Sequence, residues 1–184
     1  MHYVMNNIDQ PTHLENIEKP PFLYHGTIDQ NIKQFEPRSA KERPKENPAV
    51  YASDDIEIAV QSMANKYVSN GGVVDGIKFV CIPMGREEFI RQDRGGVVYR
   101  LPSESFAINK GIGLGDKEWV SHDEVKPIDA VIYPSLLRAL LDQGTQVYFI
   151  EPELIEVINR AQDENQPDTL KNILKNLTPE DSDR

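Results

Sequence analysis

Among the residues of this chain able to do chemistry, a histidine, a tyrosine and a glutamate stand out by their settings. His25 ends a short apolar run in Leu-Tyr-His-Gly-Thr, with Gly26 and Thr27 directly after it. A histidine at a strand end beside glycine can present its ring to a ligand while bare backbone approaches closely. Tyr51 lies in Val-Tyr-Ala-Ser, where a second apolar run gives way to an acid-rich helix start. Glu118 opens Glu-Trp-Val-Ser directly after a glycine-rich stretch, and a carboxylate between Lys117 and Trp119 suits an ionised group at a cleft rim. Taken singly, each residue also fits an ordinary place: a ring in the core, a hydroxyl with one partner, a solvated acid.

Other groups carry less chemistry. Gly111, Gly113 and Gly115 have the look of a nucleotide loop but lack a leading strand, a following helix and a Gly-Lys-Ser/Thr, so they read as a loop. His2 and His13 fall in a polar N-terminal segment. His122 precedes Asp123 and Glu124 without a second histidine at ligand spacing, so no metal site is expected. Cys81 is the only cysteine, which excludes an intrachain disulfide and a cysteine zinc site, and its mid-strand place suggests packing. Positive charge gathers at Arg38, Lys41, Arg43 and Lys45, and again at Arg86, Arg91 and Arg94. Arg38 is the better candidate for a phosphate, being closest in sequence to His25.

Short runs rich in Val, Ile, Tyr and Phe, bounded by Gly, Pro or Asp, position these residues. Strands are expected at 22–24, 50–52, 76–83, 97–101, 118–121, 130–133 and 146–150. Ser53 is expected to cap a helix whose first turn holds Asp54, Asp55 and Glu57 and whose inner face carries Ile56, Val60, Met63 and Tyr67. A second helix runs from Ser135 to Leu141 and stops at Gly144. Strands dominate and do not alternate regularly with helices, which indicates an α+β fold.

From Glu151 on, Pro152 suits a first helical turn, and Leu154, Ile155, Val157 and Ile158 form an apolar stripe. A break at Asn165 to Asp168 precedes a second short helix through Leu170, Ile173, Leu174 and Leu177, and Thr178 to Arg184 reads as a frayed end. The expected organisation is an N-terminal extension (1–20), a main domain (21–150) and an acidic helical tail (151–184). That tail either closes the domain or meets a partner. It holds nine acidic against four basic residues, about half of the whole chain's net charge of -10. The 184 residues suit one domain with an appendage. The acidity argues against a nucleic-acid partner. No apolar run reaches the length of a membrane helix, and the first residues lack a signal peptide's apolar stretch, so a cytoplasmic protein is expected.

In their order and positions, Tyr-His-Gly-Thr, Val-Tyr-Ala-Ser followed by a helix with Ala59, and a glutamate opening a late strand resemble the His-Tyr-Glu pattern of ADP-ribosyltransferases of the diphtheria-toxin and poly(ADP-ribose) polymerase type. The resemblance runs from about Phe22 to Ile150. The first two blocks are also similar to small rifampin-modifying ADP-ribosyltransferases, and Glu118 to Pro127 resembles compact bacterial members of the superfamily. It implies split antiparallel β-sheets, NAD as co-substrate, and ADP-ribose transfer to an unidentified protein or small molecule. Cleavage of the nicotinamide–ribose bond passes through an oxocarbenium-like transition state, for which a carboxylate is needed. By resemblance Glu118 supplies it, Tyr51 stacks on nicotinamide, His25 bonds the adenosine ribose and the Gly26 backbone clamps the carboxamide. Thr27, Ser53 and Arg38 complete the expected NAD contacts. Two departures stand out: Ala59 takes the place of a serine that contacts the amide in the polymerase branch, and Asp116 that of the Glu or Gln of arginine-modifying toxins. Two other outcomes remain open: a non-catalytic binding module on the same fold, or the related RNA 2′-phosphotransferase chemistry.

Overall fold

The computed structural model describes residues 18–39, 47–109, 118–164 and 166–180. In chain order these hold β1 (Phe22–Thr27), β2 (Val50–Ser53), α1 (Ile56–Met63), β3 (Asn70–Val74), β4 (Ile77–Ile82), α2 (Arg86–Gln92) and β5 (Gly96–Pro102). There follow β6 (Ala107–Ile108), β7 (Glu118–Ser121), β8 (Asp129–Tyr133), α3 (Leu136–Asp142), β9 (Gln146–Phe149), α4 (Pro152–Asp163) and α5 (Pro167–Lys175). The fold is α+β. None of the described helices is long and apolar enough to cross a membrane.

Six strands form one sheet in the order β6-β7-β2-β1-β5-β8, and β3-β4-β9 form a second. Strand alternation explains how they stack. Along β5, Val97, Tyr99 and Leu101 enter a cluster with Leu23, Val50, Ala52 and Trp119, while Val98 turns to the other face. Along β4, Val80 and Ile82 face the same central layer as Val98, and Phe79 and Cys81 face outward against the tail. Both faces of these strands are thus covered, which is why they read as continuous apolar runs rather than alternating ones. The central layer is filled by α1 (Ala59, Val60, Met63) and α3 (Leu136, Leu137, Ala139, Leu140). Ile158, Ala161, Leu170 and Leu174 bring α4 and α5 onto the outer face of the small sheet. Cys81 is buried there, and burial pushes its thiol up to about 12, well away from reactive thiolate character.

Several expectations change. The sheets are not all antiparallel: β4 and β9 run parallel, which the long excursion of the chain through the large sheet between them permits. Ser53 ends β2 instead of capping α1; Asp55 is the cap, its carboxylate accepting from Glu57 N at 2.9 Å. Val157 is exposed and Ala161 takes its place on the inner face of α4. Residues 178–180 are tied down, since Glu180 N donates to Val147 O at 2.8 Å and its carboxylate meets Arg86 Nε at 2.7 Å. β3 and α2 were not expected. β3, Asn-Gly-Gly-Val-Val, has poor intrinsic strand propensity and exists through its full-length pairing with β4. The expectations for His2, His13, Lys41, Arg43, Lys45, Asp116, the three loop glycines and residues 181–184 lie outside the described residues.

One side chain ties the central layer together. Asp93 Oδ1 accepts from Gly95 N (2.8 Å) and Leu136 N (2.9 Å), and Oδ2 from Ser135 Oγ (2.8 Å) and Leu137 N (3.2 Å). It serves as a second cap for α3, whose own N-cap Ser135 accepts from Arg138 N. Asp93→Ala leaves these donors without their acceptor in half-buried surroundings and should cost about 2–3 kcal/mol. Urea unfolding checks it; a loss below about 0.5 kcal/mol would show that water replaces the carboxylate.

Candidate functional site

Peptide groups in an antiparallel sheet point alternately to one neighbour and the other, so a few hydrogen bonds set the orientation of whole strands. Ile128 N donates to Arg100 O at 2.8 Å, so the Arg100 edge faces β8. Tyr24 and Gly26, opposite Arg100 and Val98, therefore turn their N–H and C=O toward β2. On the other side Asn109 N donates to Glu118 O at 2.8 Å, so Glu118 faces β6. Its partner Ser53, and Tyr51 two residues earlier, turn toward β1.

The peptide edges of Gly26 and Tyr51 thus face the same inter-strand space. Yet the register between β1 and β2 holds at Tyr24↔Ser53 alone, whereas β1 pairs with β5 along all six residues. Where the next rung would form, His25 Nδ1 meets the Tyr51 carbonyl at 2.6 Å. The two strands part there, with a histidine in place of the ladder bond.

A cavity of about 230 Å³ opens at this parting, lined by His25, Thr27, Tyr51, Arg38, Asp29 and Glu36 among others. Its outer wall is the segment after β1, which folds back: Phe35 bridges to Val125, and Arg38 bridges to Ala49 with both N···O distances 3.1 Å. The Phe35 ring meets the His25 ring edge-on, centroids 4.7 Å apart, and in turn packs on Tyr99. Thr27 Oγ1 accepts from Asp29 N at 3.2 Å, turning the chain at the cavity rim.

Burial lowers the His25 pKa below the usual 6.5, the Tyr51 carbonyl pulls it up less strongly, and the nearby Arg38 cation adds to the lowering. The ring is therefore neutral at pH 7. With Nδ1 carrying the proton given to Tyr51 O, Nε2 is left as an acceptor, suited to a ligand hydroxyl. The sign of the pH effect follows. An unfolded His25 takes its proton near pH 6.5 and the folded one only below that, so stability present above pH 6.5 is lost as pH falls below it. Thermal midpoints should drop between pH 7.5 and 5.5, and less steeply in His25→Asn, whose amide keeps a donor without titrating. Equal slopes would show that His25 does not carry the effect.

Glu118 lies one strand farther, opposite Ser53 and diagonal to Tyr51 on the same sheet face. Diagonal cross-strand neighbours have Cα atoms about 7–8 Å apart, within reach of a tyrosine and a glutamate side chain. Glu118 is buried, 6% exposed, and its Oε1 accepts from Asn109 Nδ2 at 2.6 Å. Ser53 is buried beside it, its Oγ accepting from Asp55 N at 3.1 Å, and does not line the cavity. Alternation puts His25 on the opposite face from Tyr51 and Glu118, so the parting of the strands is what joins the two sides. Gly26 faces α1 so closely that a Cβ there would stand 1.6 Å from Ala59 O.

The structure thus brings His25, Thr27, Arg38 and Tyr51 to one cavity and sets Glu118 on the Tyr51 face. Arg86 belongs elsewhere, on Glu180. Among the described residues no group of three His, Cys, Asp or Glu side chains is placed to hold a metal ion; His122 Nδ1 meets Pro48 O at 2.8 Å. Two residues had no sequence signal: Asn109, brought to Glu118 by the β6–β7 pairing, and Phe35, whose only mark was its nearness to Arg38. A larger hollow of about 360 Å³ between α5 and the outer face of the small sheet involves none of the expected site residues. The chain matches no family model, and neither a curated protein nor a solved structure is detectably similar to it.

Proposed function

We propose that the protein is an NAD-dependent mono-ADP-ribosyltransferase that breaks the nicotinamide–ribose bond and passes ADP-ribose to an acceptor. The observation that supports this best is the parting of β1 from β2 with His25, Tyr51 and the Gly26 peptide edge around it, and with Glu118 on the next strand. In this mechanism the Gly26 N–H and C=O take the carboxamide of NAD, and the Tyr51 ring takes the nicotinamide face. His25 Nε2 accepts from a ribose hydroxyl, and Arg38 neutralises pyrophosphate. Thr27 adds a hydroxyl at the rim. Ser53 stays behind Glu118, supporting the turn into α1.

As the C1′–N bond breaks, nicotinamide leaves with the bonding electrons and positive charge grows on the ribose. The Glu118 carboxylate, oriented by Asn109, stabilises that charge and draws the proton from the acceptor as its bond to C1′ forms. Water in place of the acceptor gives slow NAD hydrolysis. Release of nicotinamide from NAD, followed by chromatography with the purified chain, is the test; no release and no NAD-dependent thermal shift would remove the proposal. Ala59 favours a second reading, a nucleotide-binding module without turnover, because position 59 offers no hydroxyl to the amide and is 2% exposed. A thermal shift with NAD but no nicotinamide would select it.

A further inference from the structure

The far edge of the large sheet is a separate feature, independent of the proposed activity. β8 is the last strand in the order, yet all but its final residue is exposed. Ile128, Val131 and Ile132 are 53%, 52% and 61% exposed. Exposed apolar side chains on both faces of an edge strand are what isolated domains avoid, because such an edge templates pairing with another chain.

The peptide geometry defines what fits. Gly96, Val98 and Arg100 turn their edges to β8, so Tyr133, Val131 and Asp129 face back to β5 and Ala130 and Ile132 turn outward. Pro127 and Pro134 bound the strand, and Pro134 has no N–H to offer. Among the described residues no strand lies beyond β8, so the edge it offers is two residues with one residue between them. An antiparallel copy of the same strand matches it in a single register, Ala130 opposite Ile132 in both directions, with Val131 on the two-fold axis.

Charge agrees with that register. Within the chain Asp129 is paired with Arg100, so the strand carries no net repulsion despite the chain's overall acidity. At the other end of β8, Gly95 packs on the Tyr133 and Pro134 backbone and the exposed Arg94 stands next to it. Two-fold antiparallel pairing brings the Asp129 end of one copy to the Arg94 end of the other.

We infer that β8 is a homodimer interface, through which two copies join their six-stranded sheets edge to edge. The contact is isologous and bounded by proline, so it closes at two subunits and does not grow. Sedimentation and light scattering of the full chain test it, with an expected mass twice 20.9 kDa at micromolar concentration. Val131→Lys sets two like charges directly opposite each other and should weaken dimerisation by roughly tenfold or more. Ala130→Pro removes an outward N–H while leaving the bonds to β5, and should do the same. Both positions are exposed, so thermal unfolding of the monomer should hardly move. Amide exchange at Ala130 and Ile132 should be slow in the dimer and quicken on dilution. A wild-type monomer up to the hundred-micromolar range overturns the inference. A dimer that survives both substitutions overturns it too, as does protection that does not change with dilution, which would mean another part of the same chain covers the edge.

Discussion

Glu118→Gln should lower nicotinamide release from NAD by roughly 10²–10⁴-fold while NAD still binds. The substitution keeps shape and loses charge. Glu118 is buried and fixed by Asn109, and a glutamine oxygen can accept the same hydrogen bond from Asn109 Nδ2. What disappears is the negative charge set against the growing positive charge of the ribose, an interaction made chiefly in the transition state, so kcat falls and affinity changes little. The site is drier than bulk water, which enlarges the effect. Single-turnover nicotinamide release together with an NAD titration followed by thermal shift separates the two quantities. Equal rates in wild type and variant would end the role assigned to Glu118. A variant that no longer binds NAD would instead make it a binding group.

Gly26→Ala should destabilise the fold by about 3 kcal/mol or more and disturb the His25–Tyr51 contact at the same time. A Cβ at this position would lie 1.6 Å from Ala59 O and 2.6 Å from Ala59 C. Those atoms are helix backbone and cannot rotate aside like a flexible side chain, so α1 must lift off β1 or β1 must shift. Either movement disturbs the meeting of His25 with the Tyr51 carbonyl, because α1 follows β2 after only two residues. Gly85→Ala is the matched control, since a Cβ there meets nothing within 4 Å, and it should change stability by about 1 kcal/mol or less. Urea unfolding of the two variants decides the matter. A Gly26→Ala protein as stable as Gly85→Ala would show that the helix rides on this strand far more loosely than the close approach indicates.

Much of the fold was legible locally. Runs such as Gly76 to Pro83 and Gln146 to Ile150 declared strands, because β-branched and aromatic residues between turn-formers have few other stable choices. Gly144 marked the end of α3 and indeed adopts φ +71. The misses have equally local causes. α2 presents one buried apolar residue, Phe89, in a charged segment, so it read as a basic cluster. At the start of α1 the cap falls on Asp55 and not on the expected Ser53, because Ser53 is held in the strand opposite Tyr24.

The site divides along the same line. From the chain alone came the residue types, the glycine after His25, and the order of histidine, tyrosine and glutamate. A continuous apolar run says that a strand is covered on both faces; it does not say which strands lie beside it, since pairing is settled by contacts between residues far apart in sequence. Only the assembled sheets made β2 the neighbour of both β1 and β7, gave Glu118 its Asn109, and left β8 at an open edge. Arg38 and Arg86 show the difference most plainly. As sequence they are members of two basic clusters, and only nearness to His25 favours Arg38. In the structure a two-way backbone bridge at Ala49 holds Arg38 at the cavity beside His25, while Glu180 takes Arg86 for the tail.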